Sequence, residues 1–243
     1  MNKLFGVVSL WWLCMAIMPV GAQAAQQKPG LTLQTTRVIY PASATGGITF
    51  SITNNTDTPY LIQSRVRDWG THVESSVDTP APFVALPPLQ RLDPGDKLTL
   101  RIRLMNTYLR QDRESVFTLA LKAIPAQPEK KMGGGEKLVV ATQNQLKLFY
   151  RPSELPAYGA DEMATRLRFH RQGHQLLVDN PTPFWATLGV LTLGGKPINT
   201  ALMVPPYGRQ TYPLEANTTV RELAWQLVND HGALTPRQSL TLP

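Results

Sequence analysis

Alternation of apolar and polar residues with a period of two runs through most of this chain, and it leaves few folds open. In GITFSIT (47–53), Ile48, Phe50 and Ile52 share one face of an extended segment, and Thr49 and Ser51 take the other. In KLTLRIRL (97–104), Leu98, Leu100, Ile102 and Leu104 oppose Thr99, Arg101 and Arg103. In SVFTLALKAIP (115–125), Phe117, Leu119 and Leu121 alternate with Thr118, Ala120 and Lys122. These runs end in turn chemistry: Asn54-Asn55-Thr56-Asp57, Asp93-Pro94-Gly95-Asp96 and Pro125. The 21 prolines leave few stretches clean enough for a helix. Short strands closely spaced by Pro- and Gly-rich turns predict an all-β protein of sandwich type.

The first residues stand outside this pattern. Lys3, an apolar stretch from Leu4 to Val20 and the small-x-small sequence Ala22-Gln23-Ala24 read as a cleaved secretory signal over 1–24. The one cysteine, Cys14, lies inside it. The remaining chain can form neither a disulfide nor a thiolate metal site, so its stability has to come from a hydrophobic core. The formal net charge is +7, but the longest basic run is Lys130-Lys131, so the charge reads as dispersed and gives no footprint for nucleic acid.

A second series of strands follows Pro152. SELPAYGADE (153–162) is polar and weakly patterned and reads as a hinge. RLRFHRQGHQLLVDN (166–180) reads as a hairpin turning at Gln172-Gly173, and ATLGVLTLGGKPI, TYPLEA and ELAWQLVND supply further strands. Two sandwiches are therefore expected, over 25–153 and 154–243.

One strand poses a chemical question. In QLKLFYRP (145–152), Lys147 interrupts Leu146, Leu148, Phe149 and Tyr150. Its ammonium either reaches water while the stem covers apolar surface, or sits in a crevice to hold an anion. Catalytic patterns are missing: there is no G-x-S-x-G, P-loop or H-E-x-x-H, and the 17 carboxylates form no close pair at a strand end. His170 and His174 have i, i+4 spacing, but Gly173 breaks any helix between them, so they read as hairpin residues and not as metal ligands. No enzyme activity, cofactor or metal is expected.

Taken in order, the motifs stop being anonymous. TTRVIYPA (35–42), PPLQRLDPG (87–95), QDRES (111–115), Ile124-Pro125, KLFYRP (147–152), NPTPF (180–184) and NDHG (229–232) together resemble the PapD-like family of periplasmic pilus (fimbrial) assembly chaperones. The resemblance covers nearly all of the chain after the signal. It implies two immunoglobulin-like β-sandwich domains arranged as an L with a cleft between them. It also implies a periplasmic protein that binds pilus subunits by donor-strand complementation and delivers them to an outer-membrane usher, without catalysis or nucleotide.

The resemblance further implies residue roles. Arg37 and Lys147 match the pair that grips the subunit's C-terminal carboxylate. Leu138, Val140 and Thr142 match the side chains that plug the subunit's groove, with Thr142 standing where a bulkier residue is favoured. Glu114, Arg151 and Asp230 match a structural salt-bridge network between the domains. The loop PAQPEKKMGGGEK (125–137) is of modest length and leans to the short-loop class, which serves thick, rod-forming pili. An exposed lending strand also gives the free molecule a route to self-association. The competing expectation is a secreted two-domain β-sandwich of another kind, an adhesin or a minor pilus component.

Overall fold

A computed structural model of the chain describes residues 30–70, 81–105, 108–126, 140–157, 159–199, 203–215 and 220–242. Residues 1–24, read above as a signal, Leu138 and most of the loop 125–137 lie outside them.

The first domain is two packed sheets. One has the order β1-β3-β7-β5, from β1 (Leu31–Leu33), β3 (Ile48–Asn54), β7 (Lys97–Leu104) and β5 (Phe83–Leu86). The other has the order β2-β9-β8-β4-β6, from β2 (Arg37–Pro41), β9 (Thr142–Arg151), β8 (Ser115–Pro125), β4 (Tyr60–Asp68) and β6 (Leu89–Leu92). Alternating side chains from both inner faces make the core, with Phe50, Ile52, Leu100 and Ile102 meeting Val38, Tyr40, Leu119, Leu121, Leu148 and Tyr150. Phe83 ties the sheets edge-to-face, with ring centroids 5.1 Å from both Tyr40 and Phe117.

Strand β8 departs from the expected alternation. Every residue from Val116 to Leu121 is buried, on both faces of the sheet. The inner face looks into the core. On the outer face, Val116 packs with Phe149, Met203, Ile39 and Trp185, so the second domain covers part of this strand.

The second domain has a sheet of β10 (Arg168–Gln172), β11 (Gln175–Asn180) and β14 (Gly208–Pro213). It packs with another in the order β13-β12-β15-β16, from β12 (Leu188–Leu193), β13 (Lys196–Pro197), β15 (Glu222–Leu227) and β16 (Gln238–Thr241). The hairpin β10–β11 turns at Gly173-His174, where Gly173 takes φ +57°. The polar stretch read as a hinge is not all irregular: Ala160–Arg166 is a helix, α1. Its sequence ADEMATR holds good helix formers but is too short to show a period in the sequence. Met163 and Ala164 bury into the core, and the Trp225 indole N–H donates to the Ala164 carbonyl at 2.9 Å.

Both domains close a strand with the same device. Asn54 and Asn180 are fully buried, and each Oδ1 accepts from the backbone N–H and hydroxyl of the threonine two residues on, Thr56 and Thr182. Each Nδ2 donates to the carbonyl four residues on, of Thr58 and Phe184. Buried amides satisfied on both sides cost little and fix the chain direction after the strand.

Candidate functional site: a sheet edge that ends at two cations

The chemistry sits on β9. Leu146, Leu148 and Tyr150 point into the core, so Lys147, Phe149 and Arg151 point out of the other face of the sheet. Strand β2 runs parallel to β9 but joins it late, pairing from Arg37↔Lys147 to Pro41↔Arg151. Residues Thr142–Leu146 pair with β8 alone, and their other edge carries no strand among the described residues. Thr142 to Gln145 are exposed. The result is a stretch of unpaired backbone donors and acceptors that stops where Arg37 and Lys147 begin.

Val140 is 63 % exposed and lies before the start of β9. Continued two residues, the antiparallel register would set Val140 opposite Pro125, which has no N–H to give. Val140 and Thr142 share the parity of Leu146 and Leu148, so beyond the core this face of the ribbon is open.

Arg37 and Lys147 differ in their surroundings. Arg37 is 7 % exposed, donates from Nη1 to the Val228 carbonyl at 2.8 Å, and lies over the Phe149 ring at 5.6 Å. Burial lowers its proton affinity, against the pull of Asp230 and Glu114. Lys147 is half-buried, with Nζ 5.6 Å from the centre of the Trp69 ring and no carboxylate within ion-pair distance among the described residues. Burial, and then the charge of Arg37, push the Lys147 ammonium down to about 8. Two cations side by side, one of them starved of counter-charge, make a site for an anion.

Glu114, Arg151 and Asp230 come together at the domain junction. Arg151 Nε donates to Glu114 Oε1 at 2.8 Å, and its Nη1 and Nη2 fork onto Asp230 at 2.6 and 2.9 Å. Glu114 Oε2 accepts the Trp185 backbone N–H at 2.9 Å. Burial pushes the Glu114 carboxyl above its usual range, against Arg151 and the Trp185 N–H. Burial would also raise Asp230, but its bonds to Arg151 outweigh this and hold it low.

The turn NDHG brings the second domain to this crevice. Asn229 Oδ1 accepts from the N–H groups of His231 and Ala233, both at 3.0 Å, which fixes the turn. Gly232 adopts φ +84°, and a Cβ there would come within 2.5 Å of the Thr36 hydroxyl. The sequence pointed to Asp230 but not to the Val228 carbonyl, the Trp185 N–H or Trp69. The first two are backbone groups without a residue signature, and Trp69 is far in sequence from the lysine it covers.

Comparison with known proteins agrees with this architecture. Residues 30–156 match the N-terminal domain of the PapD pili and flagellar-assembly chaperones, and residues 162–239 match the PapD C-terminal domain. The chain is 36 % identical to the chaperone protein FimC of Escherichia coli K12, covering 89 % of this chain and 86 % of that protein. It is 32 % identical to the chaperone protein MyfB of Yersinia enterocolitica, covering 88 % and 85 %. Among solved structures, the Salmonella enterica SafA pilin in complex with the SafB chaperone superposes with a TM-score of 0.76 at 32 % identity, covering 90 % of this chain and 99 % of the matched one. The E. coli chaperone DraB gives 0.74 at 33 % identity, covering 88 % and 97 %. With both domains matched in order around one crevice, this chain belongs to the PapD-like family of pilus assembly chaperones.

Proposed function

We propose that this chain is a periplasmic chaperone that captures pilus subunits by lending them β9 as a missing strand, and hands them to an outer-membrane usher. A subunit lacking its last strand exposes an apolar groove and unpaired backbone groups, and both promote aggregation. The free edge of Thr142–Leu146 supplies hydrogen bonds to such a groove. Leu138, Val140 and Thr142 are the side chains assigned to fill it. Arg37 and Lys147 take the subunit's terminal carboxylate, each charge-assisted bond contributing about 1.5–3 kcal/mol. Glu114, Arg151 and Asp230 set the angle of the crevice without touching the subunit. In this reading residues 1–24 are the signal that sends the chain to the periplasm, the domains divide near 153–154, and the bound groove outcompetes any self-association of the free strand.

The observation that carries the reading is the end of the free edge at the Arg37–Lys147 pair. An adhesin or minor pilus component has no need of a lending edge that terminates at a cation pair. The test is binding of a synthetic peptide copied from a subunit's C-terminal strand, once with a free carboxylate and once amidated. Tight binding of the acid and weak binding of the amide is expected, and equal binding overturns the anchor.

A further inference from the structure

Strand register brings Trp69 to the outer face of the first domain. On β4, Ile62 and Ser64 are buried inward, so Arg65 and Arg67 point out of the sheet. Trp69 is the next residue of that parity and stands just past the strand's end. Arg67 pairs with Thr118 and Thr118 with Lys147, so Trp69 and Lys147 flank the same stretch of β8 from its two sides. Their side chains meet above it, with Lys147 Nζ 5.6 Å from the centre of the Trp69 ring. Thr118, between them in the sheet, is 5 % exposed, which fits a short side chain covered from both sides.

The elements packed around Lys147 supply no counter-charge among the described residues. β2 presents Arg37, directly opposite it in register. β8 presents Thr118, which carries no charge. β4 presents Arg67 across Thr118 and Arg65 one row further, while Asp68 has the other parity. At the junction, Glu114 and Asp230 are engaged by Arg151 and act on Arg37. Burial and Arg37 both work against the charge of Lys147. The negative face of an aromatic ring is what remains to favour it, and tryptophan offers the strongest such face. Trp69 is 41 % exposed, so its ring is not committed to filling the core.

We infer that Trp69 is a positioning residue of the carboxylate anchor: its ring stands in for the missing counter-ion and holds the Lys147 ammonium charged in the crevice of the empty chaperone. The inference rests on the strand-lending reading above. A strand added at the free edge of Thr142–Leu146 lies on the far side of β9 from β8 and β4, so Trp69 acts through Lys147 and not on the subunit. What the ring sets is the pH range over which the anchor is ready. The ammonium is pushed down to about 8, and the contact with Trp69 keeps it from falling further, by about 0.5–1 pH unit.

The test follows the Lys147 side chain by NMR in the empty chaperone with isotope-labelled lysine, the signal being assigned by its loss in Lys147→Met. Trp69→Leu is expected to lower the Lys147 titration midpoint by about 0.5–1 pH unit, and Trp69→Phe, with a weaker ring of similar bulk, by about half as much. Capture is then read with the acid form of a peptide copied from a subunit's C-terminal strand. Trp69→Leu should weaken it about three- to tenfold at pH 9, where the lysine must take up a proton, and by less than about twofold at pH 6.5, where it is charged in both proteins. An unchanged midpoint in Trp69→Leu overturns the inference, and Trp69→Phe decides alone should the leucine variant not fold. So does a loss of the same size at both pH values, which makes Trp69 a packing residue or a direct contact. So does tighter capture by Trp69→Leu at pH 6.5, which means that the ring holds the lysine away from the carboxylate. Equal binding of the acid and amide peptides to the unsubstituted chaperone overturns the anchor reading instead and leaves the midpoint readable, so the two failures are distinct.

Discussion

Arg37 and Lys147 stand side by side in register on parallel strands, but only Arg37 is also bonded to the second domain, through the Val228 carbonyl. The two substitutions should therefore separate. Lys147→Met keeps the stem and removes a cation without a described counter-ion, so capture of a subunit is lost while the melting temperature holds or rises. Arg37→Ala removes a charged donor from the part-buried Val228 carbonyl as well, and costs about 1–3 kcal/mol of stability in addition to capture. Denaturant unfolding beside a capture assay checks both, and a Lys147→Met protein that still holds a subunit at full strength refutes the anchor.

Capture should weaken as pH rises through about 8, where burial and Arg37 place the Lys147 ammonium. Below that value the lysine of the empty chaperone is charged and ready for a carboxylate. Above it, binding must first take up a proton, and affinity falls by up to about tenfold per pH unit until the bound form deprotonates. Calorimetry at pH 9 in buffers of different ionisation heat should show proton uptake that is absent at pH 6.5. The stability sign runs the other way. A lysine whose folded value is depressed contributes stability fully present above its unfolded value near 10.5, and loses it as pH falls through about 8. The gain in melting temperature from Lys147→Met is thus expected at pH 7 and should shrink toward pH 10.

How far the sequence disclosed this arrangement depends on whether a feature is local. The faces of β3 and β7 were readable because each strand has one buried side and its period survives. The pattern of β8 misled because its outer side is covered by the second domain, and nothing in SVFTLALKAIP tells of Met203 or Trp185. Helix α1 stayed hidden because seven residues give barely two turns of periodicity. Arg37, Lys147, Glu114, Arg151 and Asp230 were nameable only through family motifs; periodicity alone does not bring β2 beside the end of β9.

The junction network should fail unequally. Arg151→Ala strips the buried Glu114, whose side chain is 3 % exposed, of its ion-pair partner and Asp230 of its fork, at a cost of about 3–5 kcal/mol. Glu114→Gln removes a carboxylate that burial already disfavours, while Arg151 keeps its fork on Asp230, so the cost stays near 1 kcal/mol. Asp230 is held low by Arg151, so its stabilisation is present above the unfolded carboxylate value and is lost as pH falls through the folded one. Urea midpoints of the two variants at pH 7 decide the order, and a Glu114→Gln protein less stable than Arg151→Ala contradicts it.

Thr142 is the first residue of β9 and shares its face with Leu146, but it brings a hydroxyl to a position assigned to fill an apolar groove. Thr142→Leu should tighten capture. It adds roughly two buried carbons' worth of apolar area and removes a hydroxyl with no assigned partner in the groove, together about 1–2 kcal/mol, or five- to thirtyfold in the lifetime of the complex. The free protein should pay for the change in solubility, because the residue is exposed at an unpaired edge. Dissociation rates of the subunit complex, with light scattering of the free chaperone, measure the two effects together. An unchanged lifetime would place Thr142 outside the groove and shift the lending contacts toward Val140 and the residues before it.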